Sequence, residues 1–181
     1  MKHRRNIHEP ITFQQFEEGL DKLKPKYQAY AILIYYTGIR VSEALRLRKE
    51  DFTQDDKSLY VDVGIRLKTQ RKRKDGTISS GKRTKPLPLD LSQPHLDTLI
   101  HRVRYTRKGQ LVFPFSSRTA LRQITAAGLG YNHLSRLTAI TDFLSQGRSI
   151  ADIVNWFGIS VQTVNNYIGT KDLKEMGAMR R

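Results

Sequence analysis

A handful of residues in this sequence could act together on a phosphate ester. Arg40 lies in the stretch Thr37-Gly-Ile-Arg-Val-Ser-Glu-Ala-Leu45. His133 and Arg136 form a His-x-x-Arg pair, Tyr167 stands late in the chain, and Lys68 opens a basic run between Arg40 and that pair. Arginine offers a planar fork that takes two phosphate oxygens at once. A histidine beside it can donate to the same phosphate or handle a proton. A lysine ammonium can protonate a leaving oxygen. A tyrosine phenol becomes a nucleophile when nearby cations lower its pKa or take up charge on the phosphate it attacks. Such a set is what attack on a phosphodiester without a metal requires.

Each residue taken singly also has a plainer reading. Tyr167 would serve as a packed residue of a short helix. His133 and Arg136, three apart, share one helix face and would serve as a solvated pair. Arg40, between two apolar segments, must be paired, and Glu43 is the nearby partner; a structural Arg–Glu bridge explains that much. Lys68 has rivals in Lys72, Lys74, Lys82 and Lys85, and every lysine of the run could simply neutralise phosphates.

The elements that must position these residues are readable from caps and periodicity. Thr12 and Gln15 form a capping box for a helix over 13–23, broken at Pro25. The apolar run 27–36 reads as a buried helix that Gly38 ends, and 41–47 as a short helix. Residues 59–67 alternate with period two and read as a strand. A turn at Asp75-Gly76 and a return strand over 85–89 complete a long hairpin, its prolines keeping the return strand at an edge. From Arg66 to Lys85 the hairpin holds nine Lys or Arg and one Asp, over half of the chain's net charge of +15. Arg66, Arg71, Lys72, Arg73, Lys74, Lys82, Arg83 and Lys85 are its candidate DNA contacts. Further helices are expected over 92–104 (capped by Ser92), from Ser116 or Ser117 to Ala126, over 133–145, over 150–157 and over 161–168. The fold class is mainly α with a small antiparallel β-hairpin or sheet.

Bulk properties narrow the partner. The chain has 181 residues, 38% of them hydrophobic, and its isoelectric point is near 10.2. So basic a chain needs an acidic partner, and nucleic acid is the first candidate. No apolar run approaches the roughly 20 residues that span a bilayer. There is no cysteine, which removes disulfides and thiolate zinc sites. The five histidines show no metal-ligand spacing, so neither metal nor cofactor is expected.

The order TGIR-x-SEAL, Lys, HLSR, Tyr resembles the tyrosine recombinase (phage integrase) family over residues 11–170, its DNA breaking-rejoining catalytic domain. The resemblance implies Arg40 and Arg136 on the phosphate, Glu43 as companion, Lys68 from the hairpin, His133 assisting and Tyr167 attacking. It implies a 3′-phosphotyrosyl intermediate formed without metal or ATP, duplex DNA as partner, tetramers on DNA, and a cytoplasmic, nucleoid-associated enzyme. Viral or mobile-element integration, excision and dimer resolution remain open. Residues 1–10 read as a basic arm. The tail 171–181 reads as a segment passed between subunits, and no N-terminal core-binding domain is expected in this sequence.

One site position departs from the family. A histidine or tryptophan, often in Leu-Gly-His, usually lies about nine residues before the tyrosine; here that position is Gly158, with Trp156 two residues earlier as a replacement or a core residue. A competing reading takes 149–168 as a helix-turn-helix of a non-catalytic regulator, with Val161, Gln162, Thr163 and Asn165 as groove contacts. That reading leaves the TGIR and HLSR motifs and the basic hairpin unexplained.

Overall fold

The structure, a computed structural model, describes residues 10–63, 86–130 and 132–168, without the side chains of 132–135 and 166–168. Its helices are α1 (Phe13–Leu20), α2 (Pro25–Thr37), α3 (Val41–Ala44), α4 (Leu96–Arg104), α5 (Ser117–Ala126), α6 (Asn132–Ser145), α7 (Ile150–Phe157) and α8 (Val161–Ile168). The strands are β1 (Phe52–Gln54), β2 (Ser58–Val61) and β3 (Leu87–Asp90).

α2 is apolar on nearly every side, and Ala29 to Ile34 are all buried. Such a helix belongs at the centre of a core. It packs against α3, α4, α5, α6 and β3. Pro25 is the first residue of this helix rather than a break before it. Its fixed φ and missing N–H cost nothing in a first turn.

The sheet has three antiparallel strands in the order β1-β2-β3. Leu59 pairs with Leu89 and Val61 with Leu87, all buried, so one face joins the core. β3 carries Pro88 on an edge strand, where a missing N–H is tolerated. β1 is an addition to the expected hairpin. The hairpin beyond Val63, with Lys68 and the eight candidate DNA contacts from Arg66 to Lys85, lies outside the described residues.

Three expected boundaries differ, and α1 is the first, ending at Leu20 rather than at 23. α4 starts after His95, at φ 63, not after Ser92. The backbone N–H and hydroxyl of Ser92 both donate to Asp90, at 2.9 and 2.7 Å, so its side chain closes the turn after β3 instead. α3 stops at Ala44, with Leu45 as its cap, and Leu47 is buried beyond it.

A second, smaller apolar cluster forms where α6, α7 and α8 meet. It holds Ala139, Ile140, Ile153, Phe157, Ile159 and Val164 among the described residues. Ser149 caps α7 in a box with Asp152, and the Ser160 hydroxyl accepts from Thr163 N–H at the start of α8. α6 packs on α2, so the small cluster leans against the end of the central helix.

Candidate active site

The site is built on the turn between α2 and α3. A helix leaves its last carbonyls without intrahelical partners. Here the Thr37 hydroxyl donates back to Leu33 O, and Gly38 N–H donates to Ile34 O at 2.9 Å. Gly38 is left-handed, at φ 58 and ψ 18. A Cβ there would stand 2.5 Å from Phe157 Cε1 and 2.9 Å from Ala139 Cβ, so glycine is needed for space as well as for conformation. Ile39 is buried, which pins the chain before Arg40.

Arg40 then opens α3. Its N–H donates to Glu43 Oε2 at 2.7 Å, and its Nη1 donates to Glu43 Oε1 at 2.9 Å. Three residues of helix spacing thus fix both the backbone and the guanidinium.

Arg136 reaches the same turn from α6. Its Nε donates to Gly38 O at 2.8 Å, and its Nη2 lies 3.9 Å from Glu43 Oε2. Its guanidinium also lies over the Phe157 ring, 5.9 Å from the centroid. Two guanidiniums, brought from positions 40 and 136, therefore share one carboxylate. Among the described residues the two guanidiniums and Glu43 sum to one positive charge, which an anion would complement. The Arg136 side chain is 8% exposed and that of Arg40 40% exposed. Glu43 holds both, Arg136 enclosed and Arg40 open to solvent on one side.

No protein-family model and no curated protein matches the sequence. Solved structures do match. XerA recombinase is 20% identical, with a TM-score of 0.67 over 95% of this chain and 65% of that one. XerH site-specific recombinase, in a post-cleavage complex with palindromic difH substrate, is 20% identical, with a TM-score of 0.61 over 96% of this chain and 53% of that one. The catalytic domain of bacteriophage HP1 integrase is 13% identical, with a TM-score of 0.56 over 94% of this chain and 93% of that domain. The chain has the fold of a tyrosine recombinase catalytic domain. It spans less than two thirds of the XerA and XerH chains.

Within this recombinase fold, His133 lies on α6 and Tyr167 on α8. Their side chains lie outside the described ones. α8 is anchored by the fully buried Val164, one turn before Tyr167.

Gly158 is the left-handed cap of α7, at φ 58 and ψ 46, and it ends the helix rather than presenting a functional group. Counted from that glycine, the third position of a Leu-Gly-His pattern falls on Ile159, which is buried in the small cluster and has no polar side-chain atom. Trp156 is half-buried, and its indole N–H donates to Thr37 O at 3.4 Å. It packs against the α2 turn.

A cleft of about 1340 Å³ opens beside the turn, lined in part by Tyr35, Tyr36, Asp142 and Trp156. Burial first, then the neighbouring Tyr35, Glu17 and Asp142, pushes the Tyr36 phenol up to about 12. Burial, with Asp142, also raises Tyr35. A nucleophile needs the opposite shift.

Sequence reasoning paired Glu43 with Arg40 alone. Its reach to Arg136, and the seat that Phe157 makes under Gly38, depend on contacts between distant residues that no local spacing signals. Among the described residues no group of His, Asp and Glu could hold a metal ion, and no helix is long and apolar enough to cross a membrane.

Proposed function

We propose that this chain cleaves and rejoins duplex DNA through a tyrosine–DNA bond. The observation that carries the reading is the convergence of Arg40 and Arg136 on one carboxylate, with the α8 helix of Tyr167 packed on the helix of Arg136. In-line attack puts extra negative charge on the nonbridging phosphate oxygens. Two fixed guanidiniums stabilise that charge without reorganising, and losing such a donor typically costs on the order of 3–4 kcal/mol of barrier.

In the proposed step the Tyr167 phenol oxygen attacks the phosphorus and its proton passes to solvent water. A bond forms from that oxygen to phosphorus, and the bond from phosphorus to the 5′ oxygen breaks. The leaving 5′ oxygen takes a proton from Lys68, giving a free 5′-hydroxyl and a 3′-phosphotyrosyl link. His133 assists at the phosphate. A 5′-hydroxyl from a second strand then reverses the step, so the energy of the broken bond is retained. The net charge of +15 supplies affinity for the duplex, and binding falls steeply with salt. On two duplexes the chain works as a tetramer, and the tail 171–181 is the segment neighbours exchange.

The test is a nicked suicide duplex that traps the covalent product. Wild-type protein gives an SDS-resistant adduct, and Tyr167→Phe gives none while binding the duplex as tightly. Adduct from the phenylalanine variant would sink the reading. Tight, salt-sensitive binding with no adduct from either protein favours the helix-turn-helix regulator, whose Val161, Gln162 and Asn165 are exposed on α8.

A further inference from the structure

Two of the carbonyls at the end of α2, Thr37 O and that of its cap Gly38, take partners from the C-terminal helices. Neither partner comes from α2's own neighbourhood. Trp156 of α7 donates to the first, at 3.4 Å, and Arg136 of α6 donates to the second, at 2.8 Å. Phe157, next to Trp156, fills the space against Gly38 Cα. The C-terminal helices thus cap the central helix, and the capped turn runs directly into Arg40.

Trp156 is placed to carry that link. Its indole is half-buried and packs against both the large core and the small C-terminal cluster. It also meets the Phe143 ring of α6, with centroids 4.9 Å apart. Four residues beyond it Ser160 caps the start of α8, and that helix carries Tyr167.

We infer that Trp156 is a positioning residue: its indole N–H, seated on Thr37 O, couples the docking of α7 and α8 to the setting of the Arg40 turn. Trp156 does not touch the phosphate. When the C-terminal helices are seated, the turn is capped and Arg40 is held against Glu43. When they lift, the Thr37 carbonyl loses its partner and the turn loosens. The role in the reaction rests on the phosphoryl-transfer reading above, whereas the contact itself does not.

Two measurements test it. Trp156→Phe keeps an aromatic ring at the junction and removes the N–H together with the second ring of the indole. A lost hydrogen bond at this site lowers the rate of adduct formation on the suicide duplex by about tenfold. Duplex affinity stays within error of wild type, and the melting temperature falls by only the few degrees that one lost hydrogen bond costs. A rate within twofold of wild type overturns the role, and so does a parallel loss of rate, affinity and melting temperature, which is mere packing.

The second measurement needs no chemistry. Trp156 is the sole tryptophan of the chain, so selectively excited tryptophan emission reports on the surroundings of this one indole. Gly38→Ala places a methyl against Phe157 and Ala139 and unseats the last turn of α7. The expected result is a red-shifted emission with an unchanged far-ultraviolet circular dichroism spectrum. Unshifted emission shows that the indole is not seated on the turn and overturns the inference. If wild-type protein forms no adduct, the phosphoryl-transfer reading fails and takes the positioning role of Trp156 in the reaction with it; the emission shift then still decides the contact.

Discussion

The two apolar clusters of this molecule are built to different standards, and each holds one of the arginines. The large core wraps α2 with α1, α3, α4, α5 and the sheet, and it positions Arg40 through the turn at its end. The small cluster, with six buried described residues, carries Arg136 and the helix of Tyr167. A cluster that small gains little from burial alone, so it depends on what it leans against. It leans on the α2 turn, through Phe157, Trp156 and Arg136. A firm scaffold thus carries the half-exposed arginine, and a lightly held unit carries the buried one. Segments of low local stability are the ones free to move in function.

The largest expected effect breaks the small cluster. Phe157→Ala removes a ring that is 2% exposed, and such a deletion costs about 3–5 kcal/mol. Amide exchange should quicken in α7 and α8 well before it does in α2. Equal quickening in α2 would show one cooperative unit and erase the contrast.

The two arginines come next. Arg136→Ala and Arg40→Ala should each slow adduct formation by roughly 10²–10³-fold, the typical loss for one oxyanion donor. They should part in stability. Arg136→Ala strips a buried partner from Gly38 O and lowers the melting temperature, whereas Arg40→Ala, at a 40% exposed side chain, leaves it nearly unchanged. Both should cost more activity than Trp156→Ala, and a reversed order for Arg136 and Trp156 in the suicide assay would move the phosphate contact to the tryptophan.

Gly38→Ala sits at the seam. The left-handed conformation costs an alanine roughly 1–2 kcal/mol, and overpacking against Phe157 and Ala139 adds about 1–3 kcal/mol. Urea denaturation should report a loss in that range. A loss below about 1 kcal/mol would mean the small cluster gives way freely, weaker seating than a close-packed contact implies.

The smallest effect lies wholly in the large core. The Tyr30 hydroxyl is buried without a hydrogen-bond partner among the described residues. Tyr30→Phe should therefore be neutral or stabilising by up to about 1 kcal/mol near pH 7. Burial raises the folded phenol well above its ordinary value. The unfolded phenol ionises near pH 10, so its contribution is intact below that pH and is lost as pH rises above it. The gap between variant and wild type should widen above pH 10. A gap that stays constant would show that Tyr30 titrates alike in both states.

Much of the scaffold was legible because its signals are local. The Thr12–Gln15 box, the all-apolar α2 and the helix-ending Gly38 each sit within a few residues of what they determine. β1 was not legible, because Phe52-Thr-Gln54 is too short to show alternation and takes its strand form from pairing with β2. The start of α4 was missed because Ser92 met a nearer acceptor in Asp90. At the site, the Arg40–Glu43 pair could be read from spacing. The approach of Arg136 to Glu43 and of Trp156 to Thr37 could not, since each joins residues about a hundred positions apart.

The measurement that bears most directly on the chemistry is the identity of the trapped residue. Wild-type protein, a nicked suicide duplex and EDTA should yield a covalent adduct whose peptide mass places the nucleotide on Tyr167. An adduct mapped to any other residue, or none in EDTA while metal restores cleavage, would contradict attack by this tyrosine between two fixed arginines.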